Sequence, residues 1–212
     1  VDAILQVITG LDAMHAAGVL HRDVKPANCF VDGDGTVKVG DFGLSISTIA
    51  RDESQLTMTG AFLGTPQFAA PEQLKGDPLD VGTDIYGVGA TLYYLLTGRP
   101  PFDDNHVLAL VTRIATETPP SPRTLVPSLT RGLATVVLRC LARDRTQRPA
   151  SYAALHDALQ PFSSAAAAPA TFGLRLIAGA IDLAIMRFPF GLLVPFLVVQ
   201  FGTTTLLSVI GF

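Results

Sequence analysis

The chain has 212 residues, with 15 Lys and Arg against 18 Asp and Glu for a formal charge of −3, and its mean hydropathy is +0.41. That length suits one good-sized domain plus an appendage, with enough aliphatic residues for a core. The acidic balance argues against a general nucleic-acid binder, which needs a basic face. Most charges precede Gln160 and the last fifth is nearly uncharged, so the positive hydropathy belongs largely to that tail. Cys29 and Cys140 lie far apart without metal-ligand spacing, which predicts two buried thiols in a reducing compartment rather than a disulfide. The first residues show no Met, basic n-region or signal-type apolar run and already read as the middle of a domain. A fragment of a longer chain is therefore expected.

Ile4, Leu5, Ile8, Leu11, Met14 and His15 recur at helical spacing, and Gly18 stands where helices commonly stop. Val19 and Leu20 read as an extended piece leading into the loop His21 to Asn28, where Pro26 forbids regular helix and favours a fixed turn. Cys29, Phe30 and Val31 predict a short strand, DGDG from Asp32 to Gly35 a tight turn, and Val37, Lys38 and Val39 the returning strand. Asp23 and Asn28 precede the first strand and Asp41 follows the second, so the hairpin aims both its ends at one place. Asp23, Lys25 and Asn28 within six residues, with Asp41 beyond the hairpin, suit a site that holds a hydroxyl, a phosphate and Mg²⁺ together. Taken singly, an Asp or Asn at a turn more often only closes it.

Farther on, Asp84 opens an apolar helix, Ile85 to Leu96, which Gly98, Pro100 and Pro101 end. Val107 to Thr116, Leu129 to Ala142 and Tyr152 to Leu159 read as amphipathic helices, with Thr118 to Pro127 a surface loop. Ser163 to Ala170 is a small-residue linker. Phe172 to Arg187 is apolar but carries Arg175 and Asp182. Phe188 to Phe212 has no charged residue, and its length exceeds the ~20 residues that span a bilayer. Pro189 and Pro195 would break a soluble helix but are tolerated in membranes; a buried core hairpin is the competing reading.

HRDVKPAN from His21, DFG from Asp41, GTPQFAAPE from Gly64, DIYGVGATLYYLLTGRPPF from Asp84 and RDRTQRP from Arg143 come in order. Together they resemble the large lobe of a bacterial-type Ser/Thr protein kinase, over residues 1 to about 161. The resemblance implies a mainly α fold, the kinase-like C-terminal lobe with short β-hairpins around the catalytic loop, to which the uncharged run Phe188 to Phe212 adds C-terminal membrane helices. It also implies the roles. Asp23 accepts or orients the proton of the substrate hydroxyl, Lys25 neutralises charge on the γ-phosphate of ATP, and Asn28 and Asp41 ligate Mg²⁺. Lys25 and Thr65 favour Ser/Thr over tyrosine as the protein substrate. His21 is expected to pack in the catalytic loop.

The polar stretch between Gly43 and Gly64 looks like an activation segment. By resemblance, Arg22 before Asp23 marks a kinase switched by phosphorylation there, with Thr57 and Thr59 the expected phosphosites; an ordinary solvated loop is the alternative. Glu72 and Arg148 are expected to form a buried ion pair. Asp84 is expected to reach the catalytic-loop backbone near His21 and Arg22, the alternative being an ordinary N-terminal helix charge.

No Gly-rich loop, strand lysine or partnering helix glutamate of a small lobe is found, so this chain alone is expected to bind ATP poorly and to be inactive by itself. RLIAGAIDLAI, from Arg175 to Ile185, resembles the start of an RDD-type membrane domain, with Arg175 and Asp182 in an ion path or helix packing, or else as a snorkelling interfacial pair. The expected layout is a large lobe at 1–161, a linker at 162–171 and a partial membrane domain at 172–212. The whole is a kinase tethered to the cell membrane with its lobe in the cytoplasm and a homodimer for trans-autophosphorylation as a further expectation. Two other readings stay open: a silent pseudokinase that binds partners, and a regulatory part of an RDD-type membrane protein.

Overall fold

The computed structural model describes residues 1–41 and 66–164. Thr57, Thr59, Thr65, Arg175, Asp182 and the expected membrane helices lie outside the described residues. Among the described residues no helix is long and apolar enough to cross a membrane.

Helix α1, Asp2–Ala16, buries Ile4, Leu5, Val7, Ile8 and Leu11 on one face, and the chain turns away through Gly18 at φ 77°. Strands β1, Cys29–Val31, and β2, Val37–Val39, pair antiparallel with Cys29 opposite Val39 and Val31 opposite Val37. The hairpin is fastened to α1 by the Val37 N–H, which donates to Gln6 Oε1 at 2.7 Å. A short helix α2, Pro71–Lys75, precedes the central helix α3, Val81–Thr97, whose residues Thr83 to Tyr93 are all buried. Helices α4, Val107–Thr116, α5, Arg131–Cys140, and α6, Tyr152–Leu159, complete a mainly helical lobe. Its core joins α1, α3, α5 and α6 through Ile8, Leu11, Ile85, Tyr86, Val137 and Leu155, each 1% exposed or less.

Four expectations need correction. The central helix begins at Val81, not Ile85. Asp80 Oδ1 accepts from the Gly82 N–H at 2.8 Å and Thr83 Oγ1 accepts from the Asp80 N–H at 3.3 Å, so this reciprocal cap, not Asp84, starts the helix. The fifth helix is shorter than Leu129 to Ala142, because Thr130 Oγ1 caps Leu133 N–H and leaves Leu129 outside. The stretch 118–127 is not all surface: it holds a single 3₁₀ turn, Pro122–Thr124, with Pro122 buried. The two thiols are both free, as read, but Cys29 is only half-buried while Cys140 is buried.

Candidate active site

The loop from His21 to Asn28 owes its shape to a buried carboxylate 56 residues beyond it in sequence. Asp84 is 1% exposed; its Oδ2 accepts from the His21 N–H at 2.9 Å and its Oδ1 from the Arg22 N–H at 2.7 Å. The Tyr152 hydroxyl, 2.8 Å from Oδ2, supplies a third donor. A bare carboxylate at this depth would be costly, and three donors satisfy it. The same bonds hold Arg22 at φ 67°, a left-handed conformation that costs a residue with a Cβ about 1–2 kcal/mol. Gln73 of α2 adds a fourth tie, its Nε2 donating to Arg22 O at 2.6 Å while its Oε1 accepts from Ala70 N–H. Asp84 therefore anchors the loop, and the reading of it as an ordinary helix-terminal charge is overturned.

The turn over His21, Arg22 and Asp23 points Asp23 toward Lys25 and Asn28. Lys25 Nζ donates to Asp23 Oδ2 at 2.7 Å, and Asn28 Nδ2 donates to the same oxygen at 3.0 Å and to Asp23 O at 2.8 Å. Asn28 can do this because Pro26–Asn28 forms one 3₁₀ turn with Pro26 at its start, leaving the Asn28 side chain 2% exposed beneath the loop. Both donors converge on Oδ2. Oδ1 of Asp23 accepts no hydrogen bond among the described residues.

Asp41 is brought alongside by the backbone. Gly40 N–H donates to Asn28 O at 2.9 Å, and Gly40 O lies 3.0 Å from His21 Nε2. His21 is buried, as read, and its Nδ1 accepts from the Asp23 N–H at 3.2 Å, a pattern that needs the ring proton on Nε2. His21 thus stitches Asp23 to the end of β2 and is a positioning residue. Asp41 itself sits at φ 63°. Asn28 and Asp41 end on adjacent, hydrogen-bonded backbone, and their side-chain oxygens are the hard donors a divalent cation takes. Among the described residues no group of three or more His, Cys, Asp and Glu is arranged to hold a metal.

Two features were not legible beforehand. Phe30 is 54% exposed on β1, two residues from Asn28, and its ring lies so close to Gly40 that a Cβ there would meet Cε2 at 2.9 Å. An exposed phenyl beside polar donors is a flat apolar floor, and its signal was a large apolar residue in a hairpin with no core beneath it. Arg22 Nε is buried without a hydrogen-bond partner among the described residues.

The scaffold pair is as expected. Arg148 grips Glu72 in two parallel bonds, Nη1 to Oε1 at 2.6 Å and Nη2 to Oε2 at 3.0 Å. Arg148 Nε and Nη1 also donate to Ala142 O and Gly82 O, both at 2.8 Å, its guanidinium carbon lies 5.0 Å from the Tyr86 ring centroid, and the Thr83 hydroxyl donates to Glu72 at 3.0 Å. Burial pushes the Glu72 carboxyl up, but the hydrogen bonds and charge of Arg148 outweigh it and hold the group below its usual range.

Comparison with known proteins agrees with this geometry. Residues 1–160 match the model of the protein kinase domain. The chain belongs to the protein kinase family. It is 37% identical over 152 residues to the probable serine/threonine-protein kinase PknB of Bifidobacterium longum, a match covering 71% of this chain and 22% of that protein. It is 40% identical over 164 residues to the serine/threonine-protein kinase Pkn1 of Myxococcus xanthus, covering 76% and 23%. To serine/threonine-protein kinase PknB of Mycobacterium tuberculosis it is 36% identical over 148 residues, covering 70% and 24%. The chain thus matches about a quarter of the length of these relatives.

Proposed function

We propose that the protein carrying this chain is a Ser/Thr protein kinase that transfers the γ-phosphate of ATP to protein hydroxyls. The observation that carries this reading is the Asp23 carboxylate, with Lys25 and Asn28 both fixed on one oxygen and the other accepting no hydrogen bond among the described residues. Asp23 Oδ1 accepts the hydroxyl hydrogen and orients the attacking oxygen. Lys25, 2.7 Å from Asp23, places a positive charge where the transferring phosphoryl group is most negative. Asn28 and Asp41 hold Mg²⁺, which when bound neutralises phosphate charge. Phe30 offers its exposed face to the adenine ring. Residues 1–212 contain no Gly-rich loop or strand lysine, and the reading takes these from a small lobe of the full-length protein.

The switch, the tether and the assembly belong to the same proposal. A phosphate on Thr57 or Thr59 would give the buried Arg22 Nε, which has no hydrogen-bond partner among the described residues, an acceptor; Thr65 supports the preference for Ser/Thr. Residues 172–212 anchor the protein in the cell membrane, on the strength of the uncharged run Phe188–Phe212, with Arg175 and Asp182 as its RDD-like pair and the lobe at 1–161 in the cytoplasm. Two copies of the protein are proposed to phosphorylate each other on this segment.

The test is phosphate transfer by the full-length protein from Mg·ATP to Ser, Thr and Tyr peptides, with and without a chelator. Phosphoserine or phosphothreonine formed only with Mg²⁺ is the expected result. Phosphotyrosine as the main product, or no transfer from a protein that binds ATP, would sink the reading.

A further inference from the structure

Charge is not spread evenly over the lobe. Residues 1–117 carry seven Lys and Arg against fifteen Asp and Glu, whereas residues 118–164 carry six Arg against two Asp. Two of those arginines are spent inside the protein, Arg148 on Glu72 and Arg145 on Asp80 at 3.0 Å. Among the described residues Arg123, Arg131, Arg139 and Arg143 form no salt bridge. The one acidic residue from Arg123 to Arg148 is Asp144, whose carboxylate caps its own turn on Thr146.

Helix α5 gathers part of this charge on one side. It buries Leu133, Ala134, Val137 and Cys140, which leaves Arg131, Thr135 and Arg139, spaced at i, i+4 and i+8, on the exposed face. Backbone carbonyls hold the side chains without cancelling their charge: Arg139 Nε donates to Gln147 O at 3.1 Å, and Arg123 Nε to Leu129 O at 2.8 Å just before the helix. The turn Gln160–Phe162 ends beside this stripe, because the Phe162 ring lies against Gly132, 2.8 Å from where a Cβ would stand. The Phe162 ring therefore lies beside the residue that follows Arg131, and two residues farther on the Ser164 N–H donates to Asp2 Oδ1 at 2.9 Å.

We propose that the Arg131–Arg139 stripe of α5, with Arg123 at its entrance, is a docking surface for anionic lipid headgroups. The inference rests on the reading of Phe188–Phe212 as membrane-spanning, which would hold the lobe near a lipid surface. Charge complementarity names the occupant, since the guanidinium groups of Arg123, Arg131 and Arg139, without carboxylate partners among the described residues, match phosphate oxygens. Single-stranded nucleic acid is the weaker match, because residues 123–148 hold no aromatic side chain and the one ring shown beside the stripe, Phe162, is half-buried against Gly132. An arginine near an anionic bilayer contributes about 1 kcal/mol, or about 5-fold in binding, so two contribute about 25-fold.

Retention of the 212-residue chain by phosphatidylcholine vesicles through an alkaline wash tests the membrane span separately. If it is retained, the chain is placed in lipid discs and its arginines are modified with phenylglyoxal. Arg131 and Arg139 are expected to react at least about 5-fold more slowly in discs containing phosphatidylglycerol than in phosphatidylcholine discs, with Arg99 and Arg113 unchanged and the protection lost at high salt. Equal reaction in both discs overturns the proposal. If the chain is not retained, the span reading fails, and binding to phosphatidylglycerol vesicles at low salt is measured instead. Arg131→Gln with Arg139→Gln is then expected to weaken it about 25-fold, and undiminished binding refutes the stripe. Stronger protection by single-stranded RNA than by these vesicles refutes the lipid assignment.

Discussion

Replacing Arg148 with Met keeps most of the buried volume and removes every hydrogen bond the guanidinium makes. Glu72 then loses two charge-assisted bonds of 2.6 and 3.0 Å in a site where it is 4% exposed, while the Thr83 hydroxyl still donates to it. Ala142 O and Gly82 O lose a donor each. Breaking one side of a buried pair costs about 3–5 kcal/mol, because the remaining charge stays desolvated and alone. For a lobe of this size that lowers the melting temperature by about 6–20 °C. The double variant Glu72→Gln with Arg148→Met removes the stranded charge and is expected to recover part of the loss. Urea and thermal melts of the single and double variants check this, and a single-variant loss under about 1 kcal/mol would refute the pair as the anchor of α2.

The same pair sets an acid dependence. Glu72 titrates below its ordinary 4.5 in the folded state, so its contribution is present in full above that value and is lost as pH falls through the lower folded value. Melts of wild type and Arg148→Met should converge on acidification in that window. Tyr152→Phe removes one of three donors to Asp84 and is expected to cost about 1–3 kcal/mol, with a larger loss in kcat than in KM for full-length protein, because it loosens the loop that holds Asp23. Burial and the Asp84 charge push the Tyr152 hydroxyl up, so it remains a donor over the whole accessible pH range. Gly89→Ala places a Cβ 2.5 Å from Cys140 Cβ and is expected to cost about 1–3 kcal/mol in a urea melt, despite the better helix propensity of Ala. Burial pushes the Cys140 thiol up to about 12, so in native protein a disulfide reagent at pH 8 should reach it only after unfolding.

The hairpin was legible to the residue, since a β-branched pattern and a DGDG turn are local signals. Helices α4 and α6 were equally plain from their apolar spacing, and Ser151 caps the second. The start of α3 was missed because Val81–Gly82–Thr83 lacks an apolar period and contains a poor helix former, although the Asp80–Thr83 cap was present in the sequence. The site residues Asp23, Lys25 and Asn28 could be read together because six residues contain them. What was not legible is what holds them. Tyr152 reaches Asp84 from 68 positions away in sequence and Gln73 reaches Arg22 O from 51, and neither carries a local pattern that betrays its partner. Cys29 was expected to be buried, but a two-stranded hairpin three residues long covers only one of its faces.

Asp23 is the centre of the proposed chemistry, and its carboxylate is the simplest group to remove without disturbing the fold. In Asp23→Asn the side chain keeps its shape and can still bond Lys25 and Asn28 through one oxygen, but no longer accepts the hydroxyl proton. The direct measurement is the initial rate of phosphate transfer to a Ser/Thr peptide by full-length protein and by Asp23→Asn at saturating Mg·ATP. A drop of about 10²–10⁴-fold with unchanged melting temperature is expected; transfer within a few-fold of wild type would contradict the assignment of Asp23 and with it the reading of this site.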